Sequence, residues 1–373
     1  MATYLDASAT TPLDPRVKDA MEPYLSSANP SSLHEAGQHA HEAVESARMT
    51  IARFLKCLPN EVFFTSGGTE SINAALKGAF KASKKKHLII TAIEHHAVLE
   101  TAEYLKKHEG VEVTIVPVGK NGIVSAIEDA IRPETLLISV IFVNNELGTI
   151  QPVAEIGKIA HNHNILFHVD ACQAGLLDLN VRTLNIDLLT LNASKLNGPK
   201  GAGLLYCKSG VKLVPLLHGG GQEHGMRSGT ENVPAIVGFA KALEIAQSEK
   251  EKETMRLFAL QTKLEEGLKS LGGVINCADS PRVPSITSVT FKGVEAESFL
   301  LRLSEKGVFI STGSACATKS LEPSHVLLAI GMKPVDANST VRFSLSRMTT
   351  EKDIESALAA TKDVLQQLRV LVH

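Results

Sequence analysis

A lysine amine attacks carbonyls when its surroundings disfavour the ammonium form, and Lys195 sits where such an environment can be built. It stands in a polar stretch containing Gly and Pro, between the apolar runs 188–191 and 203–207, which both read as strands. By itself it reads more readily as a solvated loop lysine. Its company changes the weighing, because other residues with chemistry to offer also close apolar runs. Residues 62–64 lead into Thr65-Ser66-Gly67-Gly68-Thr69 and a helical pattern over 70–79, and 88–92 leads into Ile93-Glu94-His95-His96. Residues 135–143 end at Asn144-Asn145-Glu146, and 165–169 at Asp170-Ala171-Cys172-Gln173.

Between these runs lie helical patterns such as 153–161, so the elements read as βαβ units in a mostly parallel sheet. Ligands of such sheets bind beyond the carboxyl ends of the strands, where Ser66, His95, Asn145, Asp170, Gln173 and Lys195 are expected to gather. A Gly-rich turn entering a helix offers free N–H groups and a positive dipole end, which suits a phosphate at Gly68-Thr69. The set asks for a molecule with a phosphate, an aldehyde for the lysine, an aromatic face and a basic ring nitrogen for the aspartate. Pyridoxal 5'-phosphate meets all four demands.

A chain of 373 residues exceeds one ordinary hydrophobic core, so a large and a smaller domain are expected. Residues 14–255 read as the large domain. Residues 1–13 with 256–373 read as a small α+β domain, entered through the long helix that the charged run 248–256 opens. A net charge of -2 gives no electrostatic reason to expect nucleic acid or an anionic membrane as partner. No signal peptide or apolar span is evident, which suggests a cytoplasmic enzyme. Five scattered cysteines without a CxxC pair support neither a disulfide framework nor a zinc ribbon. His161, His163 and His168 fall on two different elements, and no metal site is expected. Cys316 lies among small and hydroxyl residues, Ser311 to Ser320, where a solvent-reachable thiolate could react.

With these residues in place, the sequence closely resembles the NifS/IscS-type cysteine desulfurases, class V aminotransferase relatives of pyridoxal-phosphate fold type I. The resemblance runs nearly end to end. It rests on LDASATTP from Leu5, NPSS from Asn29, TSGGTES from Thr65, EHHAVLE from Glu94, VNNELGTIQP from Val143, HVDACQ from His168, GPKGAG from Gly198, HGGGQE from His218, RSGTEN from Arg227, GSACA from Gly313, LEPSHVL from Leu321 and VRFS from Val341. It implies a large domain with a mostly parallel central sheet flanked by helices, plus a smaller α+β domain. Lys195 would hold the cofactor as a Schiff base, His95 would stack on its ring and Asp170 would pair with the ring nitrogen. Asn145 and Gln173 would meet the ring hydroxyl, and Gly68 and Thr69 the phosphate, with Thr230 reaching it across a homodimer. Arg342 would bind the substrate carboxylate, Asn29 would line the substrate pocket and Cys316 would take the sulfur of L-cysteine as a persulfide.

This chain departs from the family pattern at Asn192-Ala193-Ser194-Lys195, where relatives usually read Ser-x-His-Lys; the amide of Asn192 and the hydroxyl of Ser194 can still donate to a phosphate. His224 also replaces a frequent Arg, and the family's C-terminal extension does not follow His373. The implied reaction turns L-cysteine into L-alanine and passes sulfur to an acceptor such as an iron-sulfur scaffold protein. Two alternatives remain open on the sequence: a selenocysteine lyase, and a catalytically weak sulfur-carrier or regulatory subunit.

Overall fold

The computed structural model describes residues 2–313 and 322–370. In chain order the elements are β1 (Thr3–Tyr4), α1 (Pro15–Met21), α2 (Glu35–Leu55), β2 (Val62–Thr65), α3 (Gly68–Lys81), β3 (His87–Thr91), α4 (His96–Glu109), β4 (Glu112–Val116), β5 (Thr135–Ile141), α5 (Val153–Asn162), β6 (Leu166–Asp170), β7 (Leu188–Asn192) and β8 (Gly203–Cys207). There follow α6 (Val233–Ser248), α7 (Lys250–Ser270), β9 (Val274–Ile275), β10 (Ile286–Thr290), α8 (Ala296–Glu305), β11 (Val308–Phe309), β12 (Ser311–Thr312), α9 (His325–Ala329), α10 (Pro334–Ala337), β13 (Thr340–Ser344) and α11 (Glu351–Val370).

The central sheet has seven strands in the order β2-β8-β7-β6-β5-β3-β4. The pairs from β7 to β4 are parallel, whereas β8 runs antiparallel to both its neighbours. The reason lies in the connections. Parallel neighbours need a crossover, but β7 reaches β8 through residues 193–202, which hold only a 3-10 turn. Strands β3, β5 and β6 read as nearly unbroken apolar runs because helices cover both faces. Successive side chains alternate: Leu189 packs with Ile51, Leu55 and Phe239 on one face, while Leu188 packs with Ile72, Leu76 and Val98 on the other. Strand β4 is an edge, with Glu112 and Ile115 exposed.

A second core gathers Leu257 and Leu264 of α7, Val289, Phe299, Phe343, Ile354, Val364 and, from the other end of the chain, Leu5. Phe343 is fully buried, a contribution of about 1.5–3 kcal/mol at ordinary transfer values. This core packs on an antiparallel sheet ordered β12-β13-β10-β9. Residues 5–14 bind the two regions together. The N–H of Leu5 donates to Phe309 and that of Ala7 to Ser344, while Thr11 and Asp14 donate to Ser194 and Asn197 beyond β7. Among the described residues no helix is long and apolar enough to cross a membrane.

Candidate active site

The carboxyl ends of the parallel strands surround a cavity of about 360 Å³. Its wall includes Gly68 and Thr69 at the start of α3, His95 after β3, Asn145 after β5, Asp170, Cys172 and Gln173 after β6, and Asn192 and Lys195 after β7. Ser8 and Ala9 close it from the N-terminal segment, and Gly313 and Arg342 from the smaller sheet. Topology alone brings these residues together, since each ends a strand of the same sheet or belongs to the layer facing that edge.

Lys195 closes the 3-10 turn after β7, and its Nζ donates to the carbonyls of Ser8 at 2.8 Å and Ala9 at 2.5 Å. Asp170 is 3% exposed, and its Oδ1 accepts the N–H of Cys172 at 3.0 Å. His95 caps α4: Nδ1 accepts the N–H of Ala97 at 3.0 Å, so the neutral ring carries its proton on Nε2. Burial favours that neutral ring, lowering its pKa against the pull of Asp170. Deeper in the sheet, His168 pairs both ring nitrogens with Ser139 and Thr190, and burial depresses its pKa to about 4.

Arg342 is 3% exposed; its Nη2 donates to Asp6 Oδ1 at 2.8 Å and Nη1 to the Asn145 carbonyl at 3.0 Å, while Nε has no partner among the described residues. Ser8 is a hub that sequence reasoning missed. Its hydroxyl donates to the Asn145 carbonyl at 2.7 Å, and its carbonyl accepts Gln173 Nε2 at 2.8 Å as well as Lys195. Its segment reads as a plain polar loop, and only the quoted LDASATTP block singles it out.

Two buried acids behind the wall were also missed. Glu94 accepts from Thr91 Oγ1 at 2.6 Å and the Ile141 N–H at 2.9 Å through Oε1, and Oε2 has no partner among the described residues. Burial raises its pKa to about 8. Glu146 Oε2 accepts from Ser324 Oγ at 2.5 Å, and burial raises its pKa to about 7 against the pull of Arg342. A side-chain carbon at Gly313 would collide with Glu146 Oε2, so a larger residue there would force the carboxyl to shift.

Four expected positions lie elsewhere in this chain. Ser66 turns away from the cavity, donating to Glu70 through N–H and hydroxyl, and Glu70 in turn holds Arg227. Asn29 is exposed and spends its Oδ1 on the N–H of Ser31, so it does not line the cavity. Thr230 is exposed and lines a separate cleft with Ser66, Arg227 and Glu231. Ser194 lies behind the wall, its hydroxyl turned to Asn192. Cys316 falls outside the described residues. His224 adopts a left-handed conformation, φ 55°, with its ring edge-on to Phe63. Of the other cysteines, Cys57 and Cys207 are pushed up to about 12 by burial, and Cys172 and Cys277 are raised by the same cause.

The cavity fits pyridoxal phosphate. It offers an amine, a buried carboxylate, an imidazole face and a helix N-terminus at Gly68, where a side-chain carbon would press to 2.9 Å from Cys172 Sγ. Residues 3–357 match the family model described as Aminotransferase class-V. The chain belongs to that family. It is similar to the cysteine desulfurase IscS of Methanosarcina thermophila, with 48% identity over 376 residues, 99% of this chain and 93% of the relative. Among solved structures, a NifS-like protein superposes with a TM-score of 0.93 at 38% identity, covering 99% of this chain and 100% of the other. A structure titled SspA in complex with cysteine superposes at 0.79 with 40% identity, covering 92% of this chain and 98% of the other.

Proposed function

We propose that this protein is a pyridoxal-phosphate-dependent cysteine desulfurase. It converts L-cysteine to L-alanine and leaves the sulfur on Cys316 as a persulfide. The observation that carries this reading is the convergence of Lys195, Asp170, His95 and Arg342 on one cavity at the start of α3. The relatives named as cysteine desulfurases, and the neighbour titled as a cysteine complex, support it.

When bound, pyridoxal phosphate supplies an aldehyde carbon for amines and a ring that accepts the electron pair left as a proton departs from the substrate's Cα. Lys195 would hold that aldehyde carbon, and its amine would carry the proton taken from the substrate's Cα. Asp170 would keep a proton on the ring nitrogen, where a negative charge would stabilise the positive centre. His95 would wall the ring, with Asn145 and Gln173 at its hydroxyl. Gly68, Thr69 and Asn192 would hold the phosphate. Arg342 takes the substrate carboxylate; it lines the cavity, and its Nε has no partner among the described residues. Proton transfer by Lys195 and His95 is worth about 10²- to 10⁴-fold each.

The atoms balance with one enzyme thiol: the Cβ–S bond of cysteine breaks and an S–S bond to Cys316 forms, giving alanine and a persulfide. Burial disfavours the thiolate at each described cysteine, which supports Cys316 as acceptor. The same reading makes residues 14–255 the cofactor domain and residues 1–13 with 256–373 the domain that carries Cys316. The apolar core that gathers Leu5 with Leu257, Val289, Phe299 and Phe343 supports this division. It includes a cytoplasmic homodimer in which the partner subunit's Thr230 meets the phosphate, and delivery of sulfur to an acceptor such as an iron-sulfur scaffold protein. The exposure of Thr230, away from its own chain's cavity, supports the dimer.

Reconstitution tests the reading. The wild-type protein should gain a visible absorption band with pyridoxal phosphate, and Lys195→Ala should not. A wild type that takes up no cofactor would contradict it.

A further inference from the structure

The resemblance treats the positions of Asn192 and Ser194 alike, as two donors to the cofactor's phosphate. The structure gives them different surroundings. Asn192 ends β7 and lines the cavity beside Gly68 and Thr69; Ser194, two residues on, is 9% exposed and does not line it. The N–H of Ser194 donates to Asn192 Oδ1 at 3.2 Å and its hydroxyl donates to the same oxygen at 3.0 Å. Ser194 is itself fixed from behind, since its carbonyl accepts both the N–H of Thr11 at 2.8 Å and the Thr11 hydroxyl at 2.9 Å.

Two donors on one oxygen decide which way round the Asn192 amide lies. Oδ1 faces Ser194, so Nδ2 faces the other way, 3.7 Å from where a side-chain carbon on Gly68 would sit. The flipped amide would aim Nδ2 at the Ser194 N–H, a donor that the backbone fixes in place, and would lose the bond that Oδ1 accepts from it. Among the described residues Nδ2 meets no hydrogen-bond acceptor.

We infer that Ser194 is a positioning residue that never touches the cofactor: it fixes the Asn192 amide so that Nδ2 donates to the phosphate at the start of α3. The Thr11–Ser194–Asn192 chain thereby takes the place of a direct contact from position 194. The inference rests on the proposed use of pyridoxal phosphate.

Equilibrium binding of pyridoxal phosphate and of pyridoxal, which has the aldehyde and ring without the phosphate, tests it in the purified full chain through the visible absorption band. Asn192→Asp keeps the shape and both hydrogen bonds from Ser194 but replaces the donor with an anionic oxygen. It should weaken pyridoxal phosphate about 100-fold or more while changing pyridoxal less than about 3-fold, given the worth of hydrogen bonds to charged groups. Retained pyridoxal binding also shows that the variant is folded. Ser194→Ala should weaken pyridoxal phosphate about 3- to 10-fold, and Asn192→Ala more. In an Asn192→Ala background, Ser194→Ala should add nothing, because its only route to the phosphate is gone.

Equal losses from Ser194→Ala in both backgrounds would overturn the inference by showing direct contact. Unchanged pyridoxal phosphate binding by Asn192→Asp would overturn it too, as would equal losses for the two ligands. A wild-type protein that binds neither ligand would sink the proposed function and this inference with it, whereas the preceding outcomes sink the inference alone.

Discussion

Glu94 lies directly behind the cavity wall and is fully buried, yet it touches no cation among the described residues. Burial is the main cause that raises its carboxyl from 4.5 to about 8, and the nearby charge of Asp170 adds to it. A carboxyl whose pKa is higher folded than unfolded gives the folded state an extra proton between those two values. Its contribution is therefore complete below about pH 4.5 and is lost as pH rises through about 8. At about 1.4 kcal/mol per unit, the rise from 4.5 to about 8 corresponds to a loss of about 5 kcal/mol across that range. Glu94→Gln removes this dependence and little else, because the amide oxygen can accept from Thr91 and Ile141 as Oε1 does. Its buried NH2 costs about 1–3 kcal/mol at every pH. Urea unfolding of the cofactor-free proteins at pH 5 and pH 8.5 provides the assay. The variant should be the less stable protein at pH 5 and the more stable one at pH 8.5, while Glu146, raised to about 7, leaves both with a smaller common decline. Midpoints that move in parallel between the two pH values would refute the reasoning.

Asp170→Asn should bind pyridoxal phosphate with near-normal affinity yet slow Cα-proton exchange from cysteine by about 10²-fold or more, because the neutral amide no longer holds a proton on the ring nitrogen. Exchange followed by NMR in deuterated water at the wild-type rate would refute that role. Gly313→Ala should lower stability by about 1–3 kcal/mol through its collision with Glu146 Oε2, and Glu146→Ala in the same chain should recover part of the loss. Thermal unfolding of the two single variants and the double variant checks this, and additive losses would show that the two residues do not meet.

Much of the architecture is legible because hydrophobic runs and their punctuation are local. The run 153–161 appears as the helix Val153–Asn162, and 203–207 as the strand Gly203–Cys207. Strand Glu112–Val116 is not legible, since an edge strand with outward Glu112 and Ile115 lacks the apolar run of its neighbours. The gathering of His95, Asn145, Asp170, Gln173 and Lys195 follows from the strand-end rule, which requires only the order of elements. The same rule misplaces Ser66, because a serine beginning a turn can serve Glu70 as readily as a ligand. Ser194 has the right chemistry for a phosphate, but the 3-10 turn and its bond to Asn192 decide where the hydroxyl points. Ser8 and Glu146 escape for a different reason. Their partners lie far along the chain, at Lys195 and Ser324, and no local pattern encodes those contacts.

The most direct test of the central claim is to give the cofactor-loaded protein L-cysteine and a thiol reductant, and to measure alanine and released sulfide together. The account predicts equal amounts of the two from the wild type, with Cys316→Ser retaining its visible absorption but yielding almost none of either, since a serine hydroxyl is a poor nucleophile toward sulfur. Alanine formed by Cys316→Ser at the wild-type rate, or none formed by a fully loaded wild type, would contradict it.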